Sequence, residues 1–427
     1  MKQMKNTYLV GFWTGFLALC LATLAAAATN FSILSVINTG FGGGEQRAEV
    51  SGKVLCVSGV ATQVKFYNLT NPAAPVLIGS VNVPGTTHAI GHYNDYFYLA
   101  GDGWLRTFSC PGNAAVLTNS TFTEFLSPVR NGNKMKVQAG YIFLGTYVNG
   151  LAAPGEVWIF TLTNPAAPQF VSVAAGPVGS GMSDVAVKND ALYVCGYFNR
   201  QIHVFDISNI QTPRLVHTQA ATNHGDYAPF EPWRMLIKDD ALYVQDDNSW
   251  QIFNINTATN PVFVSDLQVE RDIEGSRLVG DTLMWGASGV AGGSTGILLY
   301  DCRDAFNPQF VCRTNLGSFT GYYWGDMDEG LIYQPQASQL HILSYPPLPS
   351  QPVSFSAVNV TPGAIYLSWH APTSSTFYIE WCDSLSPAVW SRVASPIASG
   401  TGMFGFTDDS SQTAPFGPFR FYRLVQP

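Results

Sequence analysis

Acidic side chains and a histidine occur together in two segments of the chain. His224, Asp226 and Glu231 lie in one segment, and Asp326 and Asp328 lie in the other. Two carboxylates that flank a glycosidic bond can cleave it by general acid and base catalysis or through a carboxylate nucleophile. Glu231, Asp326 and His224 are therefore candidate catalytic residues of a polysaccharide hydrolase or lyase, with solvated loop acids as the ordinary alternative.

Aromatic residues close to these acids indicate ligand binding instead. The rings, two in each segment and one after a third loop, are Tyr227, Trp233, Tyr323, Trp324 and Trp250. Flat apolar rings beside carboxylates and amides suit a carbohydrate, which offers both apolar faces and hydroxyl groups. These residues are therefore predicted to bind a ligand, and the alternative is that the rings only pack between strands.

Several other chemistries lack their usual motifs. The chain contains no HExxH, GxSxG, CxxCH or Walker sequence. The net charge is −8 and no Lys/Arg cluster exists to neutralise phosphates, so a nucleic-acid partner is not expected. Asp246 to Asn248 and Asp326 to Glu329 could ligate calcium through oxygens, but neither has the EF-hand spacing, and no other cofactor is predicted.

The N-terminus has the order of a secretory signal peptide. Lys2 and Lys5 precede an apolar run from Tyr8 to about Leu24, and small residues with an A-x-A site follow. We therefore predict a signal peptide over residues 1–28 and a secreted protein, either extracellular, at the cell surface or in the periplasm. The run is short for a membrane anchor, which is the alternative, and no membrane span is predicted in the mature chain.

A repeated pattern of strand, polar residue, proline and strand predicts the fold. Its prolines are Pro75, Pro168, Pro213, Pro261 and Pro308. The first two are 93 residues apart, which is about two periods, and the later gaps are 45, 48 and 47 residues. A period near 46 residues with strands and no helical pattern is typical of a β-propeller with one blade per repeat. The polar residue seven positions before each proline is expected to bond its own backbone two residues on and so start a turn.

The register of the repeats predicts an all-β, seven-bladed propeller over residues 29–346. The second repeat is degenerate, and the last repeat lacks its outer strand. FSILSVINTGF from Phe31 resembles PVLIGSVNVPG from Pro75, so the N-terminal strand is expected to complete the last blade and close the ring.

Charged residues recur where the innermost strands are predicted to begin. Counting back from the ALYV-like second strands aligns Arg47, Lys134, Asp184 and Arg234. Mixed charges around a central channel could orient a polar ligand, so Arg47, Asp184 and Arg234 are candidate binding residues. The alternative is a ring of mutual ion pairs.

Six cysteines lie beyond the predicted signal peptide. Cys302 and Cys312 flank the turn that contains Pro308, on strands expected to be antiparallel neighbours. A disulfide between them is geometrically reasonable in an oxidising compartment.

The repeat resembles a known family. VFDISNIQTP from Val204 and NLTNPAAP from Asn68 are similar to the core of the LVIVD repeat, a propeller repeat of secreted bacterial proteins. The resemblance implies the architecture and no single activity.

A second unit follows a Pro-rich linker at residues 347–353. Over residues 354–427, the strand-like segment LSWHAP around Trp369 and the closing RFYRLV resemble a short fibronectin type III-like β-sandwich module.

Three hypotheses about function follow from the sequence. The first is a secreted, monomeric, non-catalytic propeller that binds a carbohydrate or a surface protein through its loop face. The second is a propeller hydrolase or lyase acting on polysaccharide. The third is a structural spacer at the cell surface or in a matrix.

Overall fold

The computed structural model describes the chain in two compact units, Ala28–Leu348 and Pro349–Pro427 together with Met1–Ala27. The residues described are 9–11, 17–19, 31–42, 46–59, 62–111, 120–124, 130–148, 154–221, 232–245, 249–268, 273–287, 296–314, 316, 323–328, 330–336, 338–348, 355–371, 375–386, 388–417 and 419–425. Within the predicted signal peptide, the short strands Leu9–Gly11 and Leu17–Leu19 pair antiparallel. Among the described residues, no helix has the length and apolarity that a membrane crossing needs.

Among the described residues, the larger unit contains seven sheets, numbered here in chain order, each with four antiparallel strands; sheet 1 has a fifth, parallel strand. Sheet 1 contains Gln46–Ser51, Val54–Ser58, Gln63–Asn68 and Val76–Asn82. Sheet 2 contains Thr87–Tyr93, Tyr96–Gly101, Trp104–Ser109 and Ser120–Glu124. Sheet 3 contains Arg130–Gln138, Tyr141–Val148, Pro154–Thr161 and Gln169–Val178. Sheet 4 contains Met182–Lys188, Ala191–Gly196, Gln201–Asp206 and Arg214–Ala220.

The remaining three sheets of this unit have the same strand order. Sheet 5 contains Arg234–Lys238, Ala241–Gln245, Ser249–Asn254 and Val262–Gln268. Sheet 6 contains Ile273–Val279, Thr282–Ala287, Ile297–Asp301 and Gln309–Arg313. Sheet 7 contains Asp326–Asp328, Leu331–Gln336, Gln339–Ser344 and Ser32–Asn38. A two-residue strand, Tyr323–Trp324, pairs parallel with the first strand of sheet 1.

Apolar clusters between successive sheets hold the unit together. Sheets 1 and 2, 2 and 3, 3 and 4, 4 and 5, 5 and 6, and 6 and 7 each share one buried cluster. A further cluster joins sheet 7 back to sheet 1, through residues such as Ile342 and Val57. Because the first strands of all seven sheets also line one central cavity, the arrangement is that of a β-propeller.

The strand that completes sheet 7 comes from the N-terminal end of the unit, and this pairing was predicted from the sequence. Ser32–Asn38 pairs antiparallel with Gln339–Ser344, about three hundred positions later in the chain. Ser35 Oγ also donates a hydrogen bond of 2.8 Å to the carbonyl of Pro72, in the proline turn of sheet 1. The pairing covers an edge that would otherwise present open backbone groups.

The predicted turn chemistry is confirmed in all five proline repeats. A side-chain oxygen accepts a hydrogen bond from the backbone N–H two residues on, at 2.7–3.3 Å, in Asn68, Thr161, Asp206, Asn254 and Asp301. A second device was not predicted. The tyrosine of the second strand donates its hydroxyl to a carbonyl in the proline turn of the next sheet, as in Tyr98 to Pro165 and Tyr193 to Ala258.

The predicted disulfide between Cys302 and Cys312 is wrong. Cys312 lies opposite Leu299, and a bulge follows between Leu299 and Tyr300. As a result, Cys302 is buried in the cluster between sheets 5 and 6, whereas Cys312 faces the cluster between sheets 6 and 7. The two thiols lie on opposite faces of one sheet, and both cysteines are unbridged.

The C-terminal residues form two small sheets. The first contains Ala357–Thr361, Ala364–His370 and Met403–Asp408. In the second, Thr376–Cys382 pairs with Ser391–Arg392, Ile397–Ala398 and Phe421–Val425. Residues of both sheets share one apolar core around the fully buried Trp369.

The N-terminal strand gives a direct test of this architecture. Ile37 packs against the cluster between sheets 7 and 1, whereas Ile33 in the same strand is 56% exposed. We expect Ile37→Asp to lower the free energy of unfolding by about 2 kcal/mol or more, because it places a carboxylate against an apolar core. Ile33→Asp is the matched control and should change it by about 0.5 kcal/mol or less. Equal effects in chemical denaturation would contradict the packing of this strand.

Candidate functional site

A cavity of about 410 Å³ lies at the centre of the propeller, lined by the first strand of every sheet. In each sheet that strand forms a hairpin with the second, so residues at the same distance from the turn are equivalent. The last paired residues before the turn are Ser51, Tyr93, Gln138, Lys188, Lys238, Val279 and Asp328. We call the positions four residues before them the first level and those two residues before them the second level.

The first level carries most of the charges that the sequence analysis aligned. Arg47, Lys134, Asp184 and Arg234 all lie at this level and line the cavity. All four are buried, with 4–7% of their surface exposed. The three positive residues belong to sheets 1, 3 and 5, so they surround the axis rather than sit side by side.

The second level contains an ion cluster that joins sheets 6, 7 and 1. Arg277 donates from Nε to Asp326 at 2.8 Å and from Nη2 to Glu49 at 3.0 Å. The second oxygen of Asp326 accepts the backbone N–H of Val50 at 2.6 Å. His92, in sheet 2, lies 3.0 Å from the other oxygen of Glu49. One guanidinium thus bridges two acids, and the cluster spans four consecutive sheets.

The contacts in this cluster shift the pKa values of its two acids in opposite directions. Burial, and then the charge of Glu49, raise the pKa of Asp326 to about 6. Burial also acts to raise the pKa of Glu49, but the hydrogen bond with His92 and the charge of Arg277 outweigh it, and the net shift is downward. Burial acts to lower the pKa of His92, but its hydrogen bond and charge interaction with Glu49 raise it overall.

His92 occupies a position that is apolar in every other sheet. The residue next to the last pair of the hairpin is Val50, Val137, Val187, Ile237, Leu278 or Met327 in sheets 1, 3, 4, 5, 6 and 7. The histidine at this position lacks the apolar side chain of its counterparts and instead forms a hydrogen bond with Glu49. Neither residue was predicted from the sequence, because 43 positions separate them and a repeat pattern shows no contact between different blades.

Hydrogen bonds from sheet 4 position Trp233 and Arg234. Ser183 Oγ donates to the carbonyl of Pro232 at 2.7 Å, and Asp184 Oδ2 accepts the backbone N–H of Met235 at 2.9 Å. The other oxygen of Asp184 accepts the N–H of Val185 at 2.9 Å. The side chains of Ser183 and Asp184 are buried. Their hydrogen bonds hold Pro232 and Met235, the residues that flank Trp233 and Arg234.

An aromatic pair lies at the end of the sheets where the first strands begin. The ring of Trp233 is 4.3 Å from that of Tyr197, centroid to centroid, at an angle of 41°. Tyr197 and Phe198 donate their backbone N–H groups to Gly181 and Ser180, just before the first strand of sheet 4. Both rings of the pair are partly exposed. Trp233 was predicted as a ligand-binding residue, and the structure places it directly before Arg234.

Trp250 is not at this face, which corrects the prediction. It is fully buried in the cluster between sheets 5 and 6, with its ring 5.8 Å from that of Tyr243. The strand begins at Ser249, so the alternation of side chains turns Trp250 into the core. Trp250 belongs to the strand and not to the loop before it, so its ring packs in the core.

Other predicted residues are only partly described. His224, Tyr227 and Glu231 lie outside the described residues. Tyr323 and Trp324 are described as a strand that pairs with Gln46 and Arg47, without their side chains.

The predicted acids and calcium ligands are also placed only in part. Asp328 was the predicted carboxylate partner of Asp326. In the structure, the acid that shares the guanidinium of Arg277 with Asp326 is Glu49. Within the part of the chain that the structure describes, no three His, Cys, Asp or Glu residues converge on a metal position. The predicted calcium ligands Asp246 to Asn248 lie outside that part.

The His92–Glu49 contact predicts a pH dependence of stability. The folded pKa of His92 is raised, so its contribution is complete below the unfolded value of about 6.5 and is lost as the pH rises through the folded pKa. His92→Leu should remove this loss and so make the fall in stability between about pH 6 and 8 less steep. The change should be about 1 kcal/mol or less, because the side chain is 39% exposed.

Thermal unfolding across this pH range checks the prediction. His370→Leu removes an exposed histidine from the other unit and serves as control. An unchanged slope in His92→Leu would rule out a role for this pair.

Comparison with known proteins supports the fold alone. No protein-family model and no curated protein matches the chain. Among solved structures, the β-propeller domain of Cps50 (Swd1) from Myceliophteria thermophila aligns with a TM-score of 0.53 and 11% identity, over 74% of this chain and 99% of that one. The WD40 β-propeller domain of Doa1 aligns with a TM-score of 0.52 and 9% identity, over 74% and 97%. The chain therefore has a β-propeller fold.

Proposed function

We propose that the protein is a secreted, non-catalytic binding module whose ligand, a carbohydrate or a surface protein, binds where the first strands begin. The main support for this proposal is the partly exposed aromatic pair Tyr197 and Trp233, which lies beside the buried Arg234. Aromatic faces supply apolar contact at low entropic cost, and the charged groups beside them orient a polar ligand. Of the two ligand classes, this combination favours a carbohydrate.

The proposed architecture is a seven-bladed propeller of LVIVD-like repeats followed by a fibronectin type III-like module. The seven sheets and the apolar clusters between them support the blade count. The C-terminal sheets that share the core of Trp369 support a small sandwich. The propeller acts as a rigid scaffold on which loops carry recognition.

Secretion is proposed from the N-terminal sequence. Lysines, an apolar run and an A-x-A site precede residue 29. N-terminal sequencing of the mature protein from its native host should begin near residue 29. A mature chain that retains Met1 would contradict secretion by this route.

The aromatic pair provides the test of binding. We expect the intact protein to bind at least one glycan on an array, and Trp233→Ala to weaken that binding at least about tenfold, because a central tryptophan supplies much of the contact energy. Tyr366→Ala is the control, since it removes a 44% exposed ring from the other unit.

Three results would contradict this proposal. One is unaltered glycan binding by Trp233→Ala. Another is the absence of glycan and protein ligands in array and pull-down experiments, which would favour a structural spacer. The third is polysaccharide turnover abolished by Asp326→Asn, which would favour a hydrolase or lyase, since Asp326 has a raised pKa inside the cavity.

A further inference from the structure

Arg234 is a buried cation that is only partly compensated by the residues that the structure describes. Only 7% of its surface is exposed, and Nε and Nη2 have no hydrogen-bond partner among the described residues. An isolated buried charge is strongly unfavourable unless an opposite charge or hydrogen bonds compensate it. Burial lowers the pKa of Arg234 to about 9, with Asp184 opposing and Arg277 and Arg47 adding to the shift. The guanidinium is thus held in an environment that disfavours its own charge.

The nearby acids are already engaged by other groups. Glu49 and Asp326 both bind Arg277. The two oxygens of Asp184 accept the backbone N–H groups of Val185 and Met235. None of these three described carboxylates forms a hydrogen bond or ion pair with Arg234, although the negative charge of Asp184 acts on it.

Two further cations lie at the level of Arg234. Arg47 and Lys134 come from sheets 1 and 3, while Arg234 comes from sheet 5. The charged residues of the first level are thus three cations and the single acid Asp184, which gives a formal excess of two positive charges. Charges in a cavity with low-dielectric walls act more strongly on a ligand than they would in water.

The cavity has room for a ligand beside these groups. Its volume of about 410 Å³ falls in the range of small-molecule sites, roughly 300–1,000 Å³. Arginine matches groups with two acceptor oxygens, because its N–H donors form a planar fork. A carboxylate or a sulfate has this geometry.

We propose that the central cavity binds a small oxyanion, such as a carboxylate or sulfate group, between Arg234, Arg47 and Lys134. The anion supplies the acceptors that Arg234 lacks and offsets the positive charge of the first level. The anion site is built from the first strands and not from the aromatic pair, and it shares Arg234 with the proposed carbohydrate surface.

Sulfate titration followed by thermal unfolding tests the proposal. At constant ionic strength set with chloride, sulfate should raise the melting temperature of the wild type saturably, by about 3 °C or more at a hundredfold excess over its dissociation constant. Arg234→Met should abolish this shift. The variant should also unfold no lower than the wild type without sulfate, because it removes an unpaired buried charge.

The control removes an equivalent charge elsewhere. Arg214 is 74% exposed on the outer strand of sheet 4, so Arg214→Met should retain the sulfate shift. Should Arg234→Met fail to fold, Lys134→Met provides the second variant and should weaken sulfate binding at least about fivefold. An absent or non-saturable shift in the wild type, or an equal shift in Arg234→Met, would overturn the proposal.

A final comparison identifies the source of the anion. Glucuronate carries a carboxylate where glucose carries a hydroxymethyl group. Glucuronate binding tighter than sulfate, with no binding of glucose, would support the acid group of a sugar as the occupant. Equal binding of glucuronate and sulfate would support a free anion. A shift with glucose equal to that with glucuronate would overturn the anion site.

Discussion

The bridge that Arg277 makes between Glu49 and Asp326 is the interaction on which the centre of the propeller depends. Two buried carboxylates on neighbouring sheets would repel each other, and the guanidinium between them makes their proximity favourable. Asp326 also accepts the N–H of Val50, so the bridge ties sheet 7 to sheet 1 at the point where the two ends of the ring meet. The strand Ser32–Asn38 joins the same two sheets at the outside. The ring is thus secured by ions at its centre and by a strand at its rim.

The same bridge determines the electrostatics of the cavity. Both acids of the second level bind Arg277, whereas the first level carries three cations and one acid, Asp184. Nε and Nη2 of Arg234 have no hydrogen-bond partner among the described residues, and the partly exposed Trp233 directly precedes Arg234. The charges that join the sheets and the charges of the proposed anion site therefore lie in one cavity.

The sequence predicts well whatever each repeat determines locally. The five turns follow from a polar residue and a proline at fixed spacing, and the alignment of Arg47, Lys134 and Arg234 follows because hairpin register is inherited from repeat to repeat. Contacts between sheets were not predictable in this way. The pair His92 and Glu49 joins two blades, and the bulge that turns Cys302 and Cys312 to opposite faces has no local sequence signature. Trp250 was misplaced because the boundary between loop and strand decides which way its ring points.

Anomalous scattering from crystals soaked in selenate locates a bound oxyanion itself. We expect an anomalous peak in the central cavity, with selenate oxygens within about 3 Å of the guanidinium nitrogens of Arg234. A carboxylate of the chain in that position, or anomalous peaks confined to the outer surface, would contradict it.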